Sequence, residues 1–143
     1  PGVTATSACP ALLGTELTLP DISQTVILTR YATKTTMPQG EQLHDLAQHR
    51  ATMEIHLGIT HLADIVQDLF PHYGADCPIA VIYRASWPDQ DFVLGTLADI
   101  ESTVAQKNFQ RTVLILVGRV LTANDFADSK LYNPNKKHIA GNA

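Results

Sequence analysis

The residues best placed to bind a ligand follow a continuously apolar, strand-like run that ends at Tyr83. Arg84, Ala85, the only Trp of the chain, a Pro and Asp89 lie in the segment that comes next. Open α/β sheets place ligand sites where strands end in such loops. The small side chain of Ala85 would leave its backbone open to a ligand edge with one donor and one acceptor, such as a nucleobase. A structural lock is an equally good interpretation, in which Trp87 packs and Arg84 pairs with Asp89.

A second predicted strand end has the same form. Leu57 is followed by Gly58 and then by a helix-like segment. A Gly at this point permits either a positive φ angle or a close approach of a ligand to the backbone. An ordinary turn from strand to helix is the more common reason for a Gly in this position.

Standard catalytic and metal-binding motifs are absent from the sequence. It contains no GxGxxG, P-loop, HExxH or GxSxG pattern. His44 and His49 are five residues apart, so they would not lie on the same face of a helix. His56 and His61 lie on either side of a predicted strand end. Surface or capping roles are more common for such pairs than metal ligation. The sequence therefore predicts no metal site and identifies no catalytic residue.

The composition is that of a folded domain without an obvious polyanionic or membrane partner. The 143 residues fit one domain, and 45% of them are hydrophobic and 17% charged. The net charge is −4 and the ten Lys and Arg are scattered, which argues against nucleic acid as a partner. No apolar run approaches the roughly 20 residues that cross a bilayer.

The start of the chain and its Cys content bear on the cellular setting. No charged and apolar leader is visible, and Cys9 and Cys77 form no CxxC pair. We therefore expect a reduced, cytoplasmic protein. The chain begins at Pro1 without an initiator Met, as if in the middle of a loop, which predicts a fragment or the ordered part of a longer protein.

Hydrophobic periodicity and helix-breaking residues predict the elements that position these residues. Strands are predicted at residues 24–29, 52–57, 78–83, 92–97 and 112–117, the third being central. Helices are predicted at residues 4–13, 41–49, 61–70 and 98–107. Thr4 and Thr60 are expected to cap helices, Pro10 to kink or shorten the first helix, and Gly14 to end it. The segment Pro-His-Tyr-Gly at residues 71–74 is expected to close the third helix.

The second predicted strand alternates strictly between apolar and polar residues. Met53, Ile55 and Leu57 would form an apolar face, and Thr52, Glu54 and His56 a polar one. Glu54 and His56 would mark an edge, a dimer contact or a local relaxation of the pattern. Five strands interleaved with about four helices predict an α/β fold with a five-stranded mixed sheet flanked by helices. Because the third and fourth strands are adjacent, they are expected to form an antiparallel pair.

Six short segments together resemble the tetrapyrrole methylases, and within that family the branch that acts on precorrin-4 or cobalt-precorrin-4 in cobalamin biosynthesis. The resemblance covers nearly the whole chain. The segments are Pro-Gly-Val-Thr-Ala at residues 1–5, Leu-Gly-Thr-Glu-Leu-Thr-Leu-Pro at 13–20, Gln-Thr-Val-Ile-Leu-Thr-Arg at 24–30, Ala-Ser-Trp-Pro-Asp at 85–89, Val-Gly-Arg at 117–119 and Ser-Lys-Leu-Tyr-Asn-Pro at 129–134.

The resemblance implies a larger protein with a defined reaction. Such enzymes have two α/β domains, bind S-adenosylmethionine between them, hold the tetrapyrrole in a trough and work as homodimers. This chain would be the carboxyl-terminal domain: residues 1–20 the end of the interdomain linker and the first helix, 21–123 the α/β domain, and 124–143 a tail, with the amino-terminal domain absent. The implied reaction is methyl transfer to carbon 11 of precorrin-4.

The resemblance also implies roles for five residues. Thr4 and Ala5 match a linker pair that contacts the donor, and Leu57 and Ala85 match donor contacts at two strand ends. Arg30 would face the carboxylates of the macrocycle, which suit a guanidinium fork. Methyl transfer from a sulfonium needs orientation rather than a covalent enzyme intermediate, so no catalytic triad is expected.

Two alternatives to this function stay open. A sister enzyme of the same family would methylate another carbon of a related ring. A non-catalytic fragment would serve as a dimerisation or binding module, since the half that would carry the Gly-rich donor loop is not in the chain.

Overall fold

A computed structural model describes residues 2–123 of the chain, which are built around one five-stranded sheet. In chain order the elements are α1 (Ala5–Leu13), β1 (Val26–Arg30), α2 (Leu43–Ala47), β2 (Thr52–His56), α3 (Leu62–Tyr73), β3 (Pro78–Tyr83), β4 (Asp91–Thr96), α4 (Ile100–Val104) and β5 (Val113–Val117). Short 3₁₀ turns occupy Ile59–His61 and Arg119–Thr122. The predicted tail at 124–143, including its Ser-Lys-Leu-Tyr-Asn-Pro segment, lies outside the described residues.

The sheet is mixed, as predicted. Its strand order is β1-β2-β5-β3-β4; β1 and β2 are parallel, and the other three neighbouring pairs are antiparallel. The expected antiparallel pairing of the third and fourth strands is confirmed. The third strand is an interior strand, as its apolar run predicted, with β5 on one side and β4 on the other. The middle position itself belongs to β5, the last strand in sequence.

The two faces of the sheet carry cores of different size. Met53, Ile55 and Ile115 point towards α2, α3 and α4 and belong to the larger cluster of buried side chains. Cys9 of α1 joins a smaller cluster on the opposite face, which the sheet completes with Ala80, Ile82, Leu114 and Leu116. The predicted α/β arrangement, with helices on both faces of the sheet, is therefore present.

The second strand is not half-exposed, so that prediction was wrong. Thr52, Met53, Glu54 and Ile55 are all buried, and Glu54 is 0% exposed. The strand lies inside the sheet between β1 and β5, and α1 covers the face that carries its polar residues. Alternation usually reports a solvent face, but here it reports polar side chains beneath a helix.

The first helix keeps its full length in spite of its internal proline. Pro10 is buried in α1, which continues to Leu13, so the predicted shortening was wrong. Gly14 ends the helix with φ +64°, and its N–H points to the carbonyls of Ala11 and Pro10, as expected for a left-handed C-terminal residue. Thr4 occupies the capping position, but its side chain makes no capping hydrogen bond.

The third helix begins and ends elsewhere than predicted. Thr60 lies within a 3₁₀ turn and does not cap α3, which His61 precedes. The helix passes through Pro71 and ends three residues later than predicted, at Tyr73, within the segment that was expected to close it; Gly74 is the C-terminal cap. The buried Tyr73 hydroxyl donates a 2.6 Å hydrogen bond to the carbonyl of Ala51, and this contact anchors the last turn.

Candidate functional site

Three strand ends meet at one edge of the sheet and form a cleft. His56 at the end of β2 pairs with Leu114 of β5, and Tyr83 at the end of β3 pairs with Val113. Because β5 is antiparallel to both neighbours, its beginning lies between their ends. The start of α1 and the residues before it form another wall, and the enclosed volume is about 570 Å³.

Three of the five residues proposed to bind ligands line this cleft: Ala5, Leu57 and Ala85. Thr4 directly precedes Ala5, but is not among the lining residues. The cleft brings together positions 80 residues apart in sequence, from the start of α1 to the loop after β3. It therefore collects the start of α1 and both strand ends in one place.

The positive φ angle at the end of β2 falls on Leu57 rather than on Gly58. Leu57 has φ +58° and is 68% exposed, whereas Gly58 has φ −100°. A Cβ atom on Gly58 would lie 2.4 Å from Cδ1 of Ile65 in α3. Gly58 lies in the turn from strand to helix, as one interpretation expected, and it lacks the positive φ angle that another allowed. Its missing side chain also permits close packing against Ile65 of α3. Left-handed backbone in a Leu is costly and concentrates at functional sites.

The loop after β3 is locked by its own side chains, as one of the two interpretations predicted. The Arg84 guanidinium pairs with the Asp89 carboxylate and lies 4.2 Å from the centre of the Trp87 ring. The N–H of Ser86 donates to Oε1 of Gln90 at 2.8 Å. Arg84 and Ser86 have φ +48° and +71°, so Ala85 lies between two strained residues.

Leu57 and Ala85 line the cleft with unpaired backbone groups. Within residues 2–123, neither residue's N–H or C=O takes part in a hydrogen bond. The two strand ends therefore offer donors and acceptors for the edge of a ligand, alongside an apolar wall that includes Val3, Cys9 and Ile82.

Arg30 uses its guanidinium within its own loop. It donates to the carbonyl oxygens of Tyr31, Thr35 and Thr36 at 3.2–3.3 Å, and it is not among the residues that line the cleft. These contacts shape the loop that brings Thr33 to the cleft wall. The proposed contact of Arg30 with a macrocycle would require the guanidinium to keep or exchange these bonds.

Two buried titratable groups, the Cys9 thiol of the cleft wall and the Glu54 carboxyl of β2, have raised pKa values. Burial, reinforced by the nearby Glu54, raises the pKa of the Cys9 thiol to about 11, so the thiol is neutral at pH 7. Burial also raises the pKa of the Glu54 carboxyl, and the nearby Thr6 hydroxyl partly opposes this shift. Neither carboxyl oxygen of Glu54 makes a well-formed hydrogen bond to another described residue.

Sequence reasoning missed several residues that line the cleft. Gln110, Arg111 and Thr112 reach it from the segment before β5, and Cys9 reaches it from α1. Their proximity depends on β5 lying between β2 and β3, an order that the sequence does not show. Across residues 2–123, no three His, Cys, Asp or Glu side chains cluster as metal ligands, and no helix is both long and apolar enough to span a bilayer.

Residues 1–101 match the model of the family described as tetrapyrrole (corrin/porphyrin) methylases. The chain belongs to this family. The match covers most of the chain and includes α1, all the strands except β5, and both strand ends of the cleft.

Relatives of this tetrapyrrole methylase chain are similar over almost its whole length. It is 68% identical over 139 residues to a precorrin-4 C(11)-methyltransferase of Pseudomonas aeruginosa, covering 97% of this chain and 56% of that protein. It is 46% identical over 139 residues to a cobalt-precorrin-4 C(11)-methyltransferase of Methanocaldococcus jannaschii, covering 96% and 54%. The chain thus spans about half the length of the curated relatives it matches.

Solved structures of other methylases have the same fold. The X-ray structure of a cobalt-precorrin-4 methyltransferase, a cobalamin biosynthetic enzyme, superimposes with a TM-score of 0.82 at 35% identity, covering 86% of this chain and 52% of that one. A uroporphyrin-III C-methyltransferase from Thermus thermophilus, complexed with S-adenosylhomocysteine, gives 0.66 at 20% identity over 85% and 52%. At that identity the second comparison supports the fold alone.

Proposed function

We propose that the protein containing this chain transfers a methyl group from S-adenosylmethionine to carbon 11 of precorrin-4, or of cobalt-precorrin-4, in cobalamin biosynthesis. The observation that carries this proposal is the 68% identity, over 97% of the chain, to a relative named for that reaction. The chain covers only about half of that relative, so the activity belongs to the longer protein.

The cleft has the properties that a binding site for the donor requires. Its volume of about 570 Å³ is within the range of roughly 300–1,000 Å³ that holds small-molecule ligands. Leu57 and Ala85 offer unused backbone groups that would pair with the edge of the adenine base, and the apolar wall would contact its face. Ala5 and the adjacent Thr4 would contact the donor from the linker side.

The residues of this chain would hold and orient the donor rather than react with it. S-adenosylmethionine supplies its own leaving group, because breaking the bond from sulfur to methyl converts a sulfonium into a neutral thioether. None of the lining residues within 2–123 carries a carboxylate that would stabilise the sulfonium charge. Orientation alone can contribute several kcal/mol to such a transfer. No residue of this chain is assigned as a catalytic base.

The remaining parts of the proposal concern the longer protein. Residues 1–20 would end an interdomain linker, residues 21–123 would be the carboxyl-terminal domain, and an amino-terminal domain would supply the opposite wall of the donor site. The enzyme would act as a homodimer in the cytoplasm, with Arg30 directed towards the carboxylates of the tetrapyrrole. These proposals rest on the family and on the 54–56% of the relatives' length that the chain covers.

Product analysis tests the proposed reaction. The protein expressed at its full natural length would be incubated with precorrin-4, or with its cobalt form, and with S-adenosylmethionine carrying ¹³C in the methyl group. We expect a new ¹³C signal correlated with carbon 11 of the ring. Label on another ring carbon would assign the chain to a sister enzyme, and an unlabelled product would reject the reaction.

A non-catalytic module is the second candidate, because the chain covers only about half of its relatives. Mass spectrometry of the natural protein distinguishes the two candidates. A mass equal to that of this chain, together with no methyl transfer, would favour a dimerisation or binding module. A mass near twice that value, together with transfer, would favour the enzyme.

A further inference from the structure

Among the described residues that line the cleft, Arg111 carries the only permanent charge. These residues include neither Asp, Glu nor Lys, and His56 is their only other basic side chain. Arg111 is exposed to solvent and lies two residues before β5 begins, between Gln110 and Thr112, which also line the cleft. The cleft therefore combines an apolar wall with one cationic group on its rim.

Most other arginines of the described chain are already engaged. Arg30 donates to three backbone carbonyls, Arg84 pairs with Asp89, and Arg119 forms a two-pronged pair with Asp76 at 2.8 and 2.9 Å. Within residues 2–123, the guanidinium of Arg111 makes no hydrogen bond and no ion pair, and the same is true of Arg50. Arg50 is exposed but does not line the cleft, so it provides a matched comparison.

The backbone ties the Arg111 segment to the ligand-facing loop after β3. The N–H of Arg84 donates to the carbonyl of Thr112 at 2.9 Å, and Thr112 has φ +58°. Ala85 follows Arg84 directly. The base of the Arg111 side chain is therefore held at a fixed position relative to the backbone edge of Ala85.

We propose that Arg111 binds a carboxylate of the ligand that occupies the cleft. A guanidinium presents a planar fork that matches a carboxylate, and a cation on the rim would bind the anionic end of a ligand whose apolar part lies further in. The proposal rests on the proposed function for the identity of that ligand. Two carboxylates are then available, the α-carboxylate of the donor and the acidic side chains of the tetrapyrrole.

A pair of ligands that differ by one carboxylate tests the proposal. It also shows whether the carboxylate that Arg111 binds belongs to the donor or to the tetrapyrrole. Calorimetric titration of the full-length protein would compare S-adenosylhomocysteine with its decarboxylated analogue, for wild type, Arg111→Gln, Arg111→Lys and Arg50→Gln. If the donor carboxylate is the partner, Arg111→Gln weakens binding of S-adenosylhomocysteine by about 5- to 50-fold. Binding of the decarboxylated analogue changes less than about twofold, and Arg111→Lys recovers part of the loss.

Steady-state kinetics tests whether Arg111 binds a carboxylate of the tetrapyrrole. If the tetrapyrrole is the partner, Arg111→Gln leaves the affinity for S-adenosylhomocysteine unchanged and raises KM for the ring at least about fivefold. The control variant Arg50→Gln should then have the same KM as wild type. The increase should shrink at high salt, because screening weakens an exposed ion pair. Equal donor affinity and equal KM in wild type and Arg111→Gln would overturn the proposal. A wild type that neither binds S-adenosylhomocysteine nor transfers a methyl group would instead overturn the proposed function.

Discussion

The backbone carbonyl of Thr112 accepts a 2.9 Å hydrogen bond from the N–H of Arg84, and both residues have positive φ angles, +58° and +48°. This contact joins the loop after β3 to the segment before β5 at the edge of the cleft. Holding a residue other than Gly at a positive φ angle costs on the order of 1–3 kcal/mol, so the conformation persists only where the surrounding structure imposes it. The strained residues Leu57, Arg84, Ser86 and Thr112 all lie at or beside this edge.

The ion pair between Arg84 and Asp89 should matter more for binding than for folding. Asp89→Asn removes it, but the Asp89 side chain is 54% exposed, so the free energy of unfolding should fall by less than about 1 kcal/mol. The affinity for S-adenosylhomocysteine should fall several-fold, because the pair holds the loop that contains Ala85. Thermal unfolding and calorimetric titration measure the two effects.

Lys107→Gln is the matched control for that variant, since it breaks a 2.7 Å exposed pair with Asp91 that does not line the cleft. Lys107→Gln should change neither the free energy of unfolding nor the affinity for S-adenosylhomocysteine appreciably. If Asp89→Asn unfolded easily while any folded protein bound normally, the loop would be a stability element rather than a support of the site.

Glu54 should make folding less stable as the pH rises. Burial raises its pKa in the folded state above the usual 4.5. Below pH 4.5 both states hold the proton and the penalty is absent. As the pH rises further, the unfolded state ionises first, so stability falls by up to about 1.4 kcal/mol per pH unit until the pH passes the raised pKa.

Glu54→Gln removes this titration, so its gain in unfolding free energy over wild type should grow between pH 4 and pH 7. Denaturant unfolding at several pH values measures the difference, in which the other carboxyl groups cancel. Glu101→Gln, which replaces an exposed carboxylate, should follow the wild-type curve. A constant difference between Glu54→Gln and wild type over this range would mean that Glu54 ionises equally in both states.

Gly58 should be required for packing rather than for backbone freedom. A Cβ atom there meets Cδ1 of Ile65 at 2.4 Å in the core, so Gly58→Ala should cost about 1–3 kcal/mol of unfolding free energy. Gly2→Ala meets nothing within 4 Å and should be neutral. Equal melting temperatures for the two variants would show that Ile65 moves aside without cost.

Local patterns predicted the strands well but not their order or their burial. The β-branched run of β1 and the apolar runs of β3 and β5 are found within two residues of the predicted bounds. Glu54 was misread because alternation shows which residues are polar, and not whether a helix covers them. The end of α3 was predicted three residues early because the contact of Tyr73 with Ala51, which holds the last turn, is non-local.

The candidate site was only partly accessible to sequence reasoning. Ala85 and Leu57 follow apolar runs, so a strand end could be predicted at each of them. Arg111 reaches the same cleft only because β5 lies between β2 and β3, and the hydrogen bonds of Arg30 to its own loop depend on the loop's conformation. Strand order and loop conformation are set by packing across the whole domain.

Ala85 provides the most direct test that the cleft is the donor site. The residue is half-buried at the cleft, and Ala85→Leu would place a larger side chain over the backbone edge that the ligand needs. Ala63→Leu adds the same bulk at an exposed position of α3. Calorimetric titration of the full-length protein with S-adenosylhomocysteine should show binding for wild type and Ala63→Leu, and at least about tenfold weaker binding for Ala85→Leu, with all three melting alike. Undiminished binding by a folded Ala85→Leu variant would contradict the assignment of this cleft.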